Sequence, residues 1–284
     1  MRFKWLYFLL SGLVIVPGLI SLLCFGLRPA VDFAGGSLLE YRLEEAVEAD
    51  EVGEKLKSFE IKSIQLTGNK TVLLRLATMD KDGAVEIKRI LEGGLGQKLE
   101  EVRQETVGPI LGRELLVKTL IGVVLAAGFI LFYVTRQFKE VRFGICAILA
   151  MFHDSLVLLG IFSILGHFGK VEVDTLFVTA MLTVLSFSVH DTVVVYDRIR
   201  ESAKLSPGVD FESLANKAVT ETLSRSLNNS LTIIFMLVAL FLLGGETIKW
   251  FVLALLIGTI SGTYSSTFTA VPLLVVWQKW KFRS

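Results

Sequence analysis

The chain has 284 residues, of which 52% are hydrophobic and 20% charged, with a net charge of +1 and a mean hydropathy of +0.62. A soluble domain of this length would carry more charge on its surface. A near-neutral chain without a basic stripe also gives no support to nucleic-acid binding.

The apolar residues gather in long runs. The first, Trp5–Cys24, follows Arg2 and Lys4. A signal peptide shares that charged start, but this run is long for one and no clean small-x-small site follows, so an uncleaved anchor is expected. Cys24 follows the bulky Leu23, which argues against lipidation. Cys24 and Cys146 both sit in apolar segments and read as small hydrophobes, with neither a disulfide nor a metal site implied.

The next stretch, 28–114, is soluble in character. Ser37–Leu43 alternates like a strand, and Glu44–Phe59 is charged and helical in pattern. Ile61–Thr67 and Thr71–Thr78 read as a hairpin around Gly68–Asn69. Ala84–Leu91 looks helical and Leu99–Val107 returns to strand. That order, β-α-β-β-α-β, predicts a small ferredoxin-like α/β domain inserted between spans one and two. Such a domain looks built to touch a protein, either a partner subunit or a passing chain.

Four further runs, Leu115–Val134, Phe143–Leu165, Thr175–Tyr196 and Phe251–Val276, are long enough to cross a bilayer as helices, which takes about 20 residues. Leu231–Gly244 is shorter and needs the polar Ser226–Ser230 to reach membrane length, so the fifth span is expected to begin near Leu227. The reading is an all-α domain of six spans. Between spans four and five, Pro207–Gly208 precedes Phe211, Leu214, Ala218 and Thr222 on one helical face. This predicts an interfacial helix within 197–226, with a solvated helical loop as the alternative. The layout is therefore 1–27 as amino terminus and first span, 28–114 as the α/β domain, and 115–284 as spans two to six with the tail.

Lys and Arg set the orientation. Arg2 and Lys4, then Arg136, Lys139 and Arg142, then Arg198, Arg200, Lys204, Lys217 and Arg225, and finally Lys279, Lys281 and Arg283 fall on one side. The opposite short loops hold only Lys170 and Lys249. Both ends are expected in the cytoplasm, and residues 28–114 in the periplasm if the membrane is a bacterial inner membrane.

Ionisable residues at membrane depth are costly and start as functional hypotheses. His153 and Asp154 lie mid-span three, and His190 and Asp191 lie in span four. Thr183, Ser186 and His190 share a face, with Asp191 one position round. Arg225 opens span five and is the natural countercharge for Asp191 if the two helices pack, although a snorkelling boundary arginine explains it too. For Asp154, a structural hydrogen-bonding role is weighed equally with proton transfer. Gly258, Gly262, Ser266 and Ala270 recur at four-residue steps in span six and read as a packing stripe without chemistry. Thr263, Ser265 and Thr267 either line a crevice or bond their own helix. Gly93–Gly96 lacks the Lys-Ser/Thr of a phosphate loop, so no cofactor is expected. No metal cluster or nucleophile-base set appears either, so the chain is not read as an enzyme. A proton gradient is the expected energy source.

These residues resemble the SecF family over nearly the whole chain. Val31-Asp32-Phe33-Ala34-Gly35-Gly36 is similar to its Asp-Phe-x-Gly-Gly motif, and Val107-Gly108-Pro109 with Gly112-x-Glu114-Leu115 to the approach to span two. His153-Asp154, the stretch from Ser188 to Glu201, and Gly262-Thr263-Tyr264-Ser265-Ser266 complete the set. The resemblance implies pairing with SecD in a membrane domain like that of resistance-nodulation-division transporters. It implies work with the SecYEG channel and YajC on an unfolded translocating polypeptide, driven by protons. It also implies proton transfer at Asp191, with Arg225 as partner. His190 stands where the family has Asn, and Asn228-Asn229 replaces a Thr-rich stretch. His190 then either relays protons or only substitutes for the Asn hydrogen bonds. A small-molecule exporter of the resistance-nodulation-division class and a non-transducing structural subunit are the rival readings.

Overall fold

The computed structural model describes residues 3–67, 70–138 and 140–281. The expected Gly68–Asn69 turn, and Arg2, Lys139 and Arg283, lie outside the described residues. The chain divides into two compact units: Pro29–Leu120, and Met1–Arg28 together with Ile121–Ser284.

In the first unit a single helical turn, α2 (Val31–Ala34), leads into β1 (Gly36–Leu43), α3 (Ala49–Lys55), β2 (Ile61–Thr67), β3 (Thr71–Leu76), α4 (Lys81–Leu95) and β4 (Leu99–Val107). The strands form one antiparallel sheet in the order β2-β3-β1-β4. Alternation along β1 and β3 puts Leu39, Tyr41, Leu43, Val72, Leu74 and Leu76 into a shared core with Val52 of α3, Leu56 just after it, and Ala84, Ile87 and Leu91 of α4. The last three fall on one stripe of the helix. Asp80 caps α4 by accepting from the Gly83 N–H at 2.9 Å, and Gly96 closes it in the left-handed region with φ +65°.

The helix expected over Glu44–Phe59 forms only at Ala49–Lys55. Tertiary bonds hold its first residues out of the helix. The Glu45 N–H donates to Gln97 Oε1 at 2.7 Å, and Lys70 Nζ donates to the Glu44 carbonyl at 2.6 Å. Gly35 and Gly36 take φ values of +70° and +135°. A Cβ at Gly35 would lie 2.8 Å from the Pro109 Cα, and one at Gly36 2.7 Å from the Leu76 carbonyl oxygen. Both conformation and space therefore require glycine at this pair.

In the second unit six helical segments among the described residues are long and apolar enough to cross a membrane. They are α1 (Lys4–Phe25), α5 (Pro109–Gln137), α6 (Val141–Gly169), α7 (Thr175–Leu205), α8 (Phe211–Leu243), and a sixth made of α9 (Glu246–Ser265), a π-helical turn (Ser266–Ala270) and α10 (Val271–Lys281). Helix α5 contributes to the bundle core mainly through Val134, with Ala127 and Ile130 packed at its edge.

Small residues let the other helices close on one another, as membrane packing requires. Helix α1 meets α6 at Gly18 and Gly160, and Ser21 and Ser163 share a 2.9 Å hydrogen bond one turn on. Helix α9 meets α7 where Gly258 faces Val184 and Gly262 faces Ser188. Phe138, Phe143 and Tyr196 stack at 5.3 to 5.9 Å between centroids in the core.

Phe211–Thr222, expected to lead into span five, is the opening of α8. Asp210 caps it through the Ser213 N–H, and without Gly or Pro before Gly244 the helix runs straight into span five. Leu214, Ala218 and Thr222 are buried, so the face read as interfacial packs inward.

Candidate functional site: two intramembrane carboxylates

Asp154 on α6 is completely buried. Its Oδ1 accepts from Ser261 Oγ at 2.5 Å and lies 3.0 Å from His153 Nδ1. Its Oδ2 accepts from Ser188 Oγ at 2.5 Å and Ser265 Oγ at 2.6 Å. The other His153 nitrogen, Nε2, is 3.0 Å from Ser11 Oγ on α1. One carboxyl group thus ties α6 to α7 and α9 directly and to α1 through the imidazole. Burying a carboxylate in an apolar bundle is costly unless its lone pairs are met, and here two polar groups meet each oxygen.

Asp191 on α7 is differently placed. Ser226 of α8 and Ser266 of the π-helical turn both donate to Oδ2, each at 2.6 Å. Among the described hydrogen bonds Oδ1 accepts none. The residue keeps 7% exposure, against none for Asp154. Beside it, the Thr192 hydroxyl is buried without a hydrogen-bond partner. Asp191 is therefore half-satisfied and reachable, while Asp154 is closed.

The expected contact between Asp191 and Arg225 is replaced by one with Ser226. Arg225 is exposed, one residue and about 100° round the helix from that serine. His190 is exposed together with Thr183 and Ser186, so the polar face expected to serve Asp191 points away from it. Asp191 lies instead on the buried face with Val184, Ser188 and Val195.

Sequence reasoning gave Ser226 and Ser261 no role at the carboxylates, and weighed Ser265 only as lining a crevice or bonding its own helix. Ser266 reads as part of a packing stripe, yet it meets Asp191. Ser261 and Ser265, one helical turn apart, were the available signal for a polar face turned inward. Thr263 shows why such signals mislead, since it bonds both its own helix at the Thr259 carbonyl (2.7 Å) and Ser230 across the interface (2.6 Å).

A cavity of about 860 Å³ lies at one end of the bundle, lined by Arg142, Arg200, Lys204, Asp210 and Trp280 among others. Three of its cations are already paired, Arg142 with Glu140 at 2.6 Å, Arg200 with Asp197 at 2.8 Å, and Lys279 with Glu212. Among the described residues no three His, Cys, Asp or Glu converge as metal ligands would.

A helical bundle of membrane-crossing length, with carboxylates at its seams and an α/β unit between its first two apolar helices in the chain, defines a multi-pass membrane protein with ionisable chemistry at its centre. The family model for the C-terminal part of the protein export membrane proteins SecD and SecF matches residues 87–280, and the SecD/SecF GG motif matches residues 20–47. The protein translocase subunit SecF of Thermobaculum terrenum is 45% identical over 99% of this chain and 94% of its own length. That of Anaerolinea thermophila is 39% identical over the same shares. The crystal structure of SecDF from Thermus thermophilus, described as a translocon-associated membrane protein, superposes with a TM-score of 0.87 at 30% identity. The match takes in 98% of this chain and 39% of the SecDF chain. The chain belongs to the SecF family of protein translocase subunits.

Proposed function

We propose that this chain acts with a SecD-type partner in protein translocation and that Asp191 is its proton-responsive group. The SecF relatives and the SecDF likeness support the translocation role. The carrying observation for the coupling is the state of Asp191, a nearly buried carboxylate met by neutral hydroxyls on one oxygen, with no hydrogen bond among the described residues on the other. An intramembrane acid so placed is held as an anion by its hydroxyl donors and further by arrival of a cation, and is neutralised by arrival of a proton.

Arg225 is the cation within reach. A twist of α8 by about one residue exchanges Ser226 for Arg225 at the Asp191 carboxylate. Protonation of Asp191 weakens that ion pair, the helices repack, and the motion passes through span two to residues 28–114. Each charge moved through the membrane potential releases roughly 2.3 kcal/mol per 100 mV, enough to bias such a two-state element.

In this reading both chain ends are cytoplasmic. Residues 28–114 are a periplasmic, ferredoxin-like domain that engages the SecYEG-bound polypeptide, with YajC as a further partner. The observed strand order and the distribution of Lys and Arg support that placement. His190 takes the place of an Asn hydrogen-bonding group, in keeping with its exposure.

The test is proton-gradient-dependent translocation in vesicles holding the full complex, with Asp191→Asn against wild type. Stimulation by the gradient is expected to vanish while the complex stays assembled. Unchanged stimulation would assign the proton step to the partner subunit and leave this chain as scaffold.

A further inference from the structure

Ser265 and Ser266 are consecutive, yet each serves a different carboxylate: Ser265 Oγ donates to Asp154 Oδ2 and Ser266 Oγ to Asp191 Oδ2, both at 2.6 Å. From Ser266 the chain leaves regular α-helix for a π-helical turn that ends at Ala270. Such turns carry an extra residue and are energetically marginal, so they persist where side-chain contacts hold them.

Ser266 also has a second acceptor. Its Oγ lies 3.1 Å from the Thr263 carbonyl of its own helix. The hydroxyl can therefore leave Asp191 without being orphaned. Ser265 has the weaker alternative, the Gly262 carbonyl at 3.3 Å, against a 2.6 Å bond to a fully buried carboxyl.

From this asymmetry we infer that Asp154 is a positioning residue for the proton step at Asp191: by holding Ser265 it fixes the start of the π-helical turn, and so presents Ser266 to Asp191. The inference rests on the reading of Asp191 as the proton-responsive group. Asp154 suits the part because its contacts close on it from several sides. Ser188 holds it to α7, Ser261 and Ser265 to α9, and Ser11 to α1 through His153. The titratable groups facing it are few. His153 lies on its own helix, with the Tyr264 ring of α9 stacked on that imidazole, and Asp191 of α7 is reached through the serine pair. The contacts from α1 and α9 to Asp154 and His153 are otherwise hydroxyls.

The mechanical consequence is a division of labour on one short segment. Protonation of Asp191 reduces its need for two hydroxyl donors, and Ser266 turns to the Thr263 carbonyl. Ser265 stays on Asp154, so within span six the change falls on the turn and α10 rather than on α9.

The experiment follows the carboxyl C=O band of the assembled complex by infrared difference spectroscopy as pH is varied. Asp191→Asn should delete the titrating band and so assign it. Ser265→Ala should then displace the Asp191 midpoint by about half a pH unit or more, on a scale where ordinary environments spread pKa values by about one unit. Ser265→Thr, which keeps the hydroxyl, should restore it. Ser261→Ala, which removes a donor from the other oxygen of Asp154, should move it less.

An unmoved midpoint in Ser265→Ala overturns the positioning role alone. Equal displacement by Ser261→Ala and Ser265→Ala also overturns it, since general polarity would then explain the effect. Survival of the band in Asp191→Asn overturns the proton reading, and the positioning inference falls with it.

Discussion

Tyr196 donates its hydroxyl to the Ala270 carbonyl at 2.8 Å, joining α7 to the last residue of the π-helical turn in span six. The tyrosine is fully buried, with its ring packed edge-on against Phe138 and Phe143. A buried phenol needs an acceptor, and the carbonyl where the π-helical turn passes into α10 supplies it.

Tyr196→Phe keeps the ring and removes that donor. It should lower the thermal midpoint of the complex in detergent, by the equivalent of about 1 kcal/mol, the usual worth of one buried hydrogen bond. An unchanged midpoint would mean that the turn needs no such clamp.

The contact of α1 with α6 sets a steric limit. A Cβ at Gly160 would sit 2.7 Å from the Gly18 Cα, closer than packed atoms approach. Gly160→Ala should cost about 1 to 3 kcal/mol through forced separation of the backbones. The separation can be read directly by a cross-link between Ser21→Cys and Ser163→Cys, whose native hydroxyls lie 2.9 Å apart. Cross-linking should fall sharply when Gly160→Ala is added. Equal yields would show that the helices yield elsewhere.

Tyr41 gives the α/β unit an alkaline limit. Burial, then the Glu101 and Glu92 carboxylates, push its hydroxyl up to about 12. The folded value lies above the unfolded one, so this contribution is complete below about pH 10 and is lost as pH rises from there towards 12. The loss is at most about 2 to 3 kcal/mol, from 1.36 kcal/mol per unit. Alkaline unfolding followed by phenolate absorbance should show it, and Tyr41→Phe should remove that part of the pH dependence. A variant with the wild-type alkaline profile would exclude Tyr41 as the cause.

What the chain alone could specify is what depends on runs and periods. Twenty or so apolar residues must cross a bilayer as helix because no other backbone form satisfies its own N–H and C=O groups there, so the spans are legible one by one. Alternation placed β1, β2, β3 and β4 for the same kind of reason, since each strand's inward face is written locally. Intramembrane acids stand out by their cost, which is why Asp154 and Asp191 could be named from the sequence.

Their partners could not. Which side of α7 turns inward depends on Gly258 and Gly262 letting α9 approach, and that rotation buried Asp191 while leaving His190 and Thr183 outside. Whether Ser226 or Arg225 meets Asp191 is a matter of about 100° about one helix axis, finer than hydropathy can resolve. A serine in a helix has its own carbonyls as acceptors, so its sequence carries no sign of a carboxylate on another helix. The chain determines where charge enters the membrane, and only the packed bundle decides which hydroxyls meet it, because those contacts join residues up to 111 positions apart through close approaches of backbone that no local pattern encodes.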